Sequence, residues 1–118
     1  MTFPVEIWLR GDNHATSEQV VAPAGEPRAW SDADVAAILG DMLRAMDRAK
    51  NPDAPADRPV ALRGFSWIVN PFEGGVLIAL EMTLGAIVAG PFDIAEGQLS
   101  AMIHRVVAAE RAQPLTIH

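Results

Sequence analysis

The residues of this 118-residue chain best equipped for chemistry are Glu6, Arg10, Arg63, Ser66, Glu81 and three histidines. Glu6 and Glu81 each occupy the polar side of an alternating run. On neighbouring strands they would approach one another, and a carboxylate pair in a cleft with shifted pKa values can act as acid and base. Arg10 and Arg63 can share that surface. Together the four outline a polar site for a small molecule or a small enzyme. The structural reading of the same residues is cross-strand charge pairing, worth some tenths of a kcal/mol, roughly.

Other reactive arrangements are missing from the sequence. Ser66 lies in Gly64-Phe65-Ser66-Trp67, without the second glycine of a nucleophile elbow, and reads as a strand serine. His14, His104 and His118 are too dispersed for a helical metal site. Gly11-Asp12-Asn13-His14 reads as a turn. No Gly-Lys-Ser/Thr cradle or dinucleotide fingerprint occurs. The amides opening the helix after Gly90-Pro91-Phe92-Asp93 could bind an anion, but Asp93 as cap would occupy and repel. No catalytic residue, metal or cofactor is therefore assigned.

The aromatic residues are more informative. Trp8 shares a strand face with Glu6 and Arg10. Arg63, Phe65, Trp67 and Val69 share one face of a later run, with Leu62, Gly64, Ser66 and Ile68 on the other. The alternation leaves open which set faces the interior. With Phe65 and Trp67 outward, Trp8, Arg10, Arg63, Phe65, Trp67 and Glu81 would form one partner-binding surface. Tryptophan and arginine are enriched at binding hot spots, and such patches rarely stay bare.

The elements that position these residues are well marked. Phe3–Arg10 alternates as a half-buried strand and ends at Gly11-Asp12-Asn13. Residues 12–29 read as an irregular connector, with Gln19-Val20-Val21 the only candidate for a short edge strand. Ser31 caps a helix with Asp34 in the capping-box position, and Trp30 and Val35 are placed as a hydrophobic staple. Val35, Ile38, Leu39, Met42, Leu43 and Met46 form its apolar stripe. The proline-rich stretch 51–59 reads as a second connector.

Val60–Val69 and Val76–Leu84 read as a hairpin joined by about six residues around Asn70-Pro71 and Gly74-Gly75. Val76–Gly90 reads as buried strand, too short and too interrupted to span a bilayer. Gly85 reads as a bulge or bend. Asp93 reads as the cap of a second helix, with Glu96 three residues on and Leu99, Met102, Ile103, Val106 and Val107 as its stripe. Residues 113–118 read as a tail, with a short added strand at Leu115–His118 as the alternative.

The expectation is one α+β domain in β-α-β-β-α order. A small mixed or antiparallel sheet of three or four strands carries two helices on one face, as a two-layer sandwich. Half the residues are hydrophobic, so a chain of this length can bury roughly two-thirds of its unfolded surface. Cysteine is absent, which removes disulfides, thiol catalysis and zinc knuckles and suits a cytoplasmic setting. The net charge of −6 and the single lysine speak against nucleic acid and anionic membranes. The first residues carry Glu6 and Arg10 where a signal peptide would be apolar.

Two helices cover one side of a sheet. The other side is left for recognition, either of a protein target, as in inhibitor, immunity or accessory proteins, or of a second copy in a homodimer. The alternative is the small-molecule site around Glu6, Arg10, Arg63 and Glu81.

Overall fold

The computed structural model describes residues 2–21, 25–53 and 60–112. Their order is β1 (Thr2–Leu9), β2 (Thr16–Val21), a 3-10 turn (Pro27–Ala29), α1 (Asp32–Lys50), β3 (Phe65–Phe72), β4 (Gly75–Met82), β5 (Gly85–Phe92) and α2 (Glu96–Ala112). The α+β architecture is as expected, but the sheet has five strands rather than three or four. All neighbours are antiparallel, in the order β2-β1-β5-β4-β3.

Two strands account for the difference. β2 extends the edge strand offered at Gln19-Val20-Val21 back to Thr16, inside a segment otherwise expected to be irregular, and pairs with β1 over Thr2↔Val21 to Ile7↔Thr16. It is a polar edge strand in which only Val20 is buried, so its alternation is faint. β5 was concealed in the apolar run Val76–Gly90, which is two strands folded back at Thr83-Leu84. Gly85 opens β5 at φ +147, and a Cβ there would lie 2.0 Å from the Trp8 carbonyl oxygen. No side chain fits that approach of β5 to β1.

The β3–β4 hairpin is also tighter than its sequence suggests. Its loop is two residues, Glu73 and Gly74, both at positive φ (49 and 82), the requirement of a type I′ turn matched to strand twist. Asn70 and Pro71 therefore lie within β3, paired with Leu77 and Val76. In a two-residue turn the flanking Phe72 and Gly75 form the hydrogen-bonded pair, so the backbone nitrogen of Pro71 points away from β4 on an edge strand, where a missing N–H costs no ladder bond.

Both helices cover the same sheet face. From β1, Phe3, Val5 and Ile7 are buried there; from β4, Ile78 and Leu80; from β5, Ile87 and Ala89. α1 contributes Val35, Ile38, Leu39, Met42 and Met46, and α2 contributes Leu99, Met102, Ile103, Val106 and Val107, all in one cluster. Phe92 joins the layers, with its ring 5.3 Å from Phe3 and 5.1 Å from Trp30, both edge-on.

The cap of α1 forms as its sequence implies. Asp34 N–H donates to Ser31 Oγ at 3.2 Å, and Ser31 N–H donates to Asp34 Oδ2 at 3.0 Å. Trp30 and Val35 are both buried beside it. The cap of α2 does not follow the expectation. The helix starts at Glu96, and the Leu99 amide donates to Ala95 O. Asp93 lies outside this turn, and its carboxylate takes Arg28 at 3.0 Å. An arginine brought close by the tertiary fold competes for the carboxylate that local sequence assigns to the helix. The expected tail at 113–118 and most of the 51–59 connector lie outside the described residues.

Candidate functional site: the uncovered sheet face

Side chains alternate along each strand, so the register fixes what the second face carries. Two rows cross it. One runs Ser66, Glu81, Ala86, Trp8 from β3 to β1; the next runs Ile68, Ala79, Val88, Glu6 and reaches Ser17 on β2. None of these residues is buried, with Trp8 42% and Ile68 52% exposed. No described element covers this face.

The rows separate the residues singled out in the sequence. Trp8 and Glu81 share the open face. Arg10 stands at its margin, with Nε donating to Thr83 O at 3.0 Å. Phe65 and Trp67 pair with Met82 and Leu80 and face the helix layer, half-buried against the core. Arg63 also lies toward the helices, donating to Glu110 O at 3.2 Å with its Nε 3.8 Å from Glu110 Oε1. The six residues are thus divided between the two sides of the sheet.

Glu6 and Glu81 do not form a dyad. β5 lies between their strands, so they stand two strands apart and one row out of step. Among the described residues neither makes a hydrogen bond or ion pair. The arginines are largely engaged elsewhere: Arg28 with Asp93, Arg44 with Asp41, Arg48 with Glu18, Arg63 with Glu110 and Arg105 with Asp32. These pairs lie along the helices, the β2 margin and the loops.

Two hollows adjoin this face. One of about 150 Å³ is lined by Ser66, Ile68, Ala79, Glu81, Ala86 and the strand segments at Trp67 and Leu80, and its lining is mainly apolar. Its floor exists because Ala79 and Ala86, diagonal neighbours on β4 and β5, are the small residues of their rows. The other, about 350 Å³ and wide open, is lined by Arg10, Gly64, Phe65, Ser66, Glu81, Met82 and Thr83. It brings Arg10 and Glu81 together but excludes Glu6 and Arg63.

His14 and His104 are exposed, on a loop and on α2; His118 lies outside the described residues. Sequence reasoning missed Ile68, Ala79, Ala86 and Val88. Alternation already puts Ala79 on the face of Glu81 and leaves the face of Ile68 open, but Ala86 and Val88 cannot be placed while β5 is unrecognised. Among the described residues no helix is long and apolar enough to cross a membrane. Comparison with protein-family models, with curated proteins and with solved structures finds no match.

Proposed function

We propose that this chain is a protein-recognition module that binds a target bearing positive charge through its open sheet face. The observation that carries the reading is the composition of that face. Trp8 and Ile68 are exposed over a bed of Ala79, Ala86 and Val88, with Glu6 and Glu81, which have no ion-pair partner among the described residues, beside them. An aromatic anchor beside apolar ground supplies burial, and the two carboxylates select a basic partner. A face-to-face pair of copies would oppose carboxylate to carboxylate, which favours a different protein. An inhibitor, immunity or accessory role in the cytoplasm suits these properties.

The test is site-specific photocrosslinking in the native host. A benzoylphenylalanine at position 68, on the open face, should join the chain to one partner. The same probe at position 101, exposed on α2, should not. Crosslinks formed equally from the helix layer would refute the reading.

A second reading, self-association, is favoured by β3. It is an edge strand of eight residues, FSWIVNPF, with no charged side chain. Edge strands are usually guarded by charge, bulges or proline, and here Pro71 is the only such guard. With each copy at −6, this edge is where two copies would meet with least repulsion. Light scattering over a concentration series tests it. A dimer that Ser66→Lys converts to monomer supports edge pairing; a wild-type monomer at all concentrations excludes it.

A further inference from the structure

Resting on the open-face reading, we propose that the hollow over Ala79 and Ala86 is a seat for one arginine or lysine side chain of the partner. The argument starts from the row Glu81–Ala86–Trp8. Trp8 and Glu81 are the outward residues of the strands on either side of β5, and Ala86 stands between them in register. Adjacent strands lie about 4.8 Å apart, so their backbones are separated by about 10 Å. Ala86 contributes only a methyl group to that interval.

Each boundary of this slot suits one part of a basic side chain. Ala79, Ala86 and Ile68 offer apolar contact for an aliphatic stem. Glu81 stands at the rim as an acceptor without a partner among the described residues. Glu6 lies on the same strand as Trp8, two residues away, and adds a second negative charge. Trp8 does not line the hollow itself; it stands exposed across Ala86 in the same row, where its ring face is open to a cation leaving the slot. The hollow, about 150 Å³, is of the size of a single side chain. An anionic side chain would meet the Glu81 carboxylate, and a purely apolar one would leave Glu81 desolvated. Arg10 is the positive charge closest in sequence to this row. It is held by Thr83 O and lines the neighbouring concavity, so it does not occupy the seat.

The experiment is a nuclear magnetic resonance titration of the full chain with capped peptides. The probes are Ac-Ala-Arg-Ala-NH2, its citrulline analogue, which keeps the shape and loses the charge, and Ac-Ala-Leu-Ala-NH2. The arginine peptide is expected to shift the Trp8 indole N–H and the Ala79 and Ala86 amides. A cation on an exposed indole with one exposed ion pair gives it about a tenfold advantage over citrulline.

Ala86→Leu, which fills the slot, and Glu81→Gln should each remove that advantage. Glu73→Gln, the same charge change at the β3–β4 turn, should not. Equal binding of arginine and citrulline, unchanged binding by Ala86→Leu, or an equal loss with Glu73→Gln would overturn the proposal. Shifts on the open face with the leucine peptide alone would also overturn it, while leaving the broader recognition reading intact. No shift with any peptide overturns the seat, and the crosslinking experiment then decides the broader reading separately.

Discussion

Trp8 and Glu81 lie in one row of the sheet, on opposite sides of Ala86, although 73 positions separate them in sequence. The sheet also divides Trp8 from the chain's other two tryptophans in environment. Trp30 is buried against Phe92, and Trp67 is half-buried beneath the helix layer. Trp8 should therefore dominate the solvent-accessible emission. Iodide quenching is expected to act mainly on a red-shifted component that disappears in Trp8→Phe. Quenching that survives in that variant would show that Trp8 is covered.

The exposed and the buried aromatic residues should differ in what they contribute to stability. Phe92 touches Phe3 and Trp30 and is almost fully buried. Phe92→Ala should cost about 3–5 kcal/mol from lost burial and the cavity left behind. Trp8→Ala should change stability by no more than about 1 kcal/mol. Urea unfolding of the two variants measures both. A large loss with Trp8→Ala would reassign that residue from recognition to packing.

Gly85→Ala should be among the more damaging single-methyl additions. Its Cβ would collide with the Trp8 carbonyl oxygen at 2.0 Å, and φ +147 is strained for any L side chain. Relief requires β1 and β5 to part where Trp8 and Ala86 are aligned. A loss of about 1–3 kcal/mol is expected. It should be accompanied by shifts in the amides of Trp8 and Leu9. A variant as stable as the parent would contradict this pairing.

Two aspartates of α1 should respond oppositely to pH. Arg105 donates to both oxygens of Asp32 at 2.9 Å, and this hydrogen-bonded pairing lowers the Asp32 pKa below the ordinary carboxylate value. Its stabilising effect is complete above the ordinary value and disappears as pH falls through the depressed one. For Asp41, burial outweighs the attraction of Arg44 and raises the pKa. Ionised Asp41 is therefore a cost above its folded pKa, and the cost is relieved on acidification. At neutral pH, Asp32→Asn should destabilise, whereas Asp41→Asn should be neutral or mildly stabilising, within about 1 kcal/mol. Both differences from the parent should shrink toward about pH 3. Denaturant titrations at the two pH values check the signs.

Strong local signals determined a large part of this molecule. The alternation in Phe3–Arg10 specified β1 and set Trp8 apart from its aliphatic side. Helical spacing specified α1 and α2 and their buried stripes, and Ser31 with Asp34 specified a cap that forms as written. These features depend on residues a few positions apart, where periodicity and capping act.

Tertiary structure decided the rest. Whether Val76–Gly90 was one strand or two depended on β5 finding a place between β1 and β4. Whether Phe65 and Trp67 faced in or out depended on the register with Met82 and Leu80. A one-residue change of register would exchange the two faces of β3, and the alternation alone is equally compatible with either. Asp93 went to Arg28 because the fold brought that arginine near. The row of Trp8, Ala86 and Glu81 exists because strands distant in sequence pair side by side, and pairing of that kind is fixed only when the core under the helices closes.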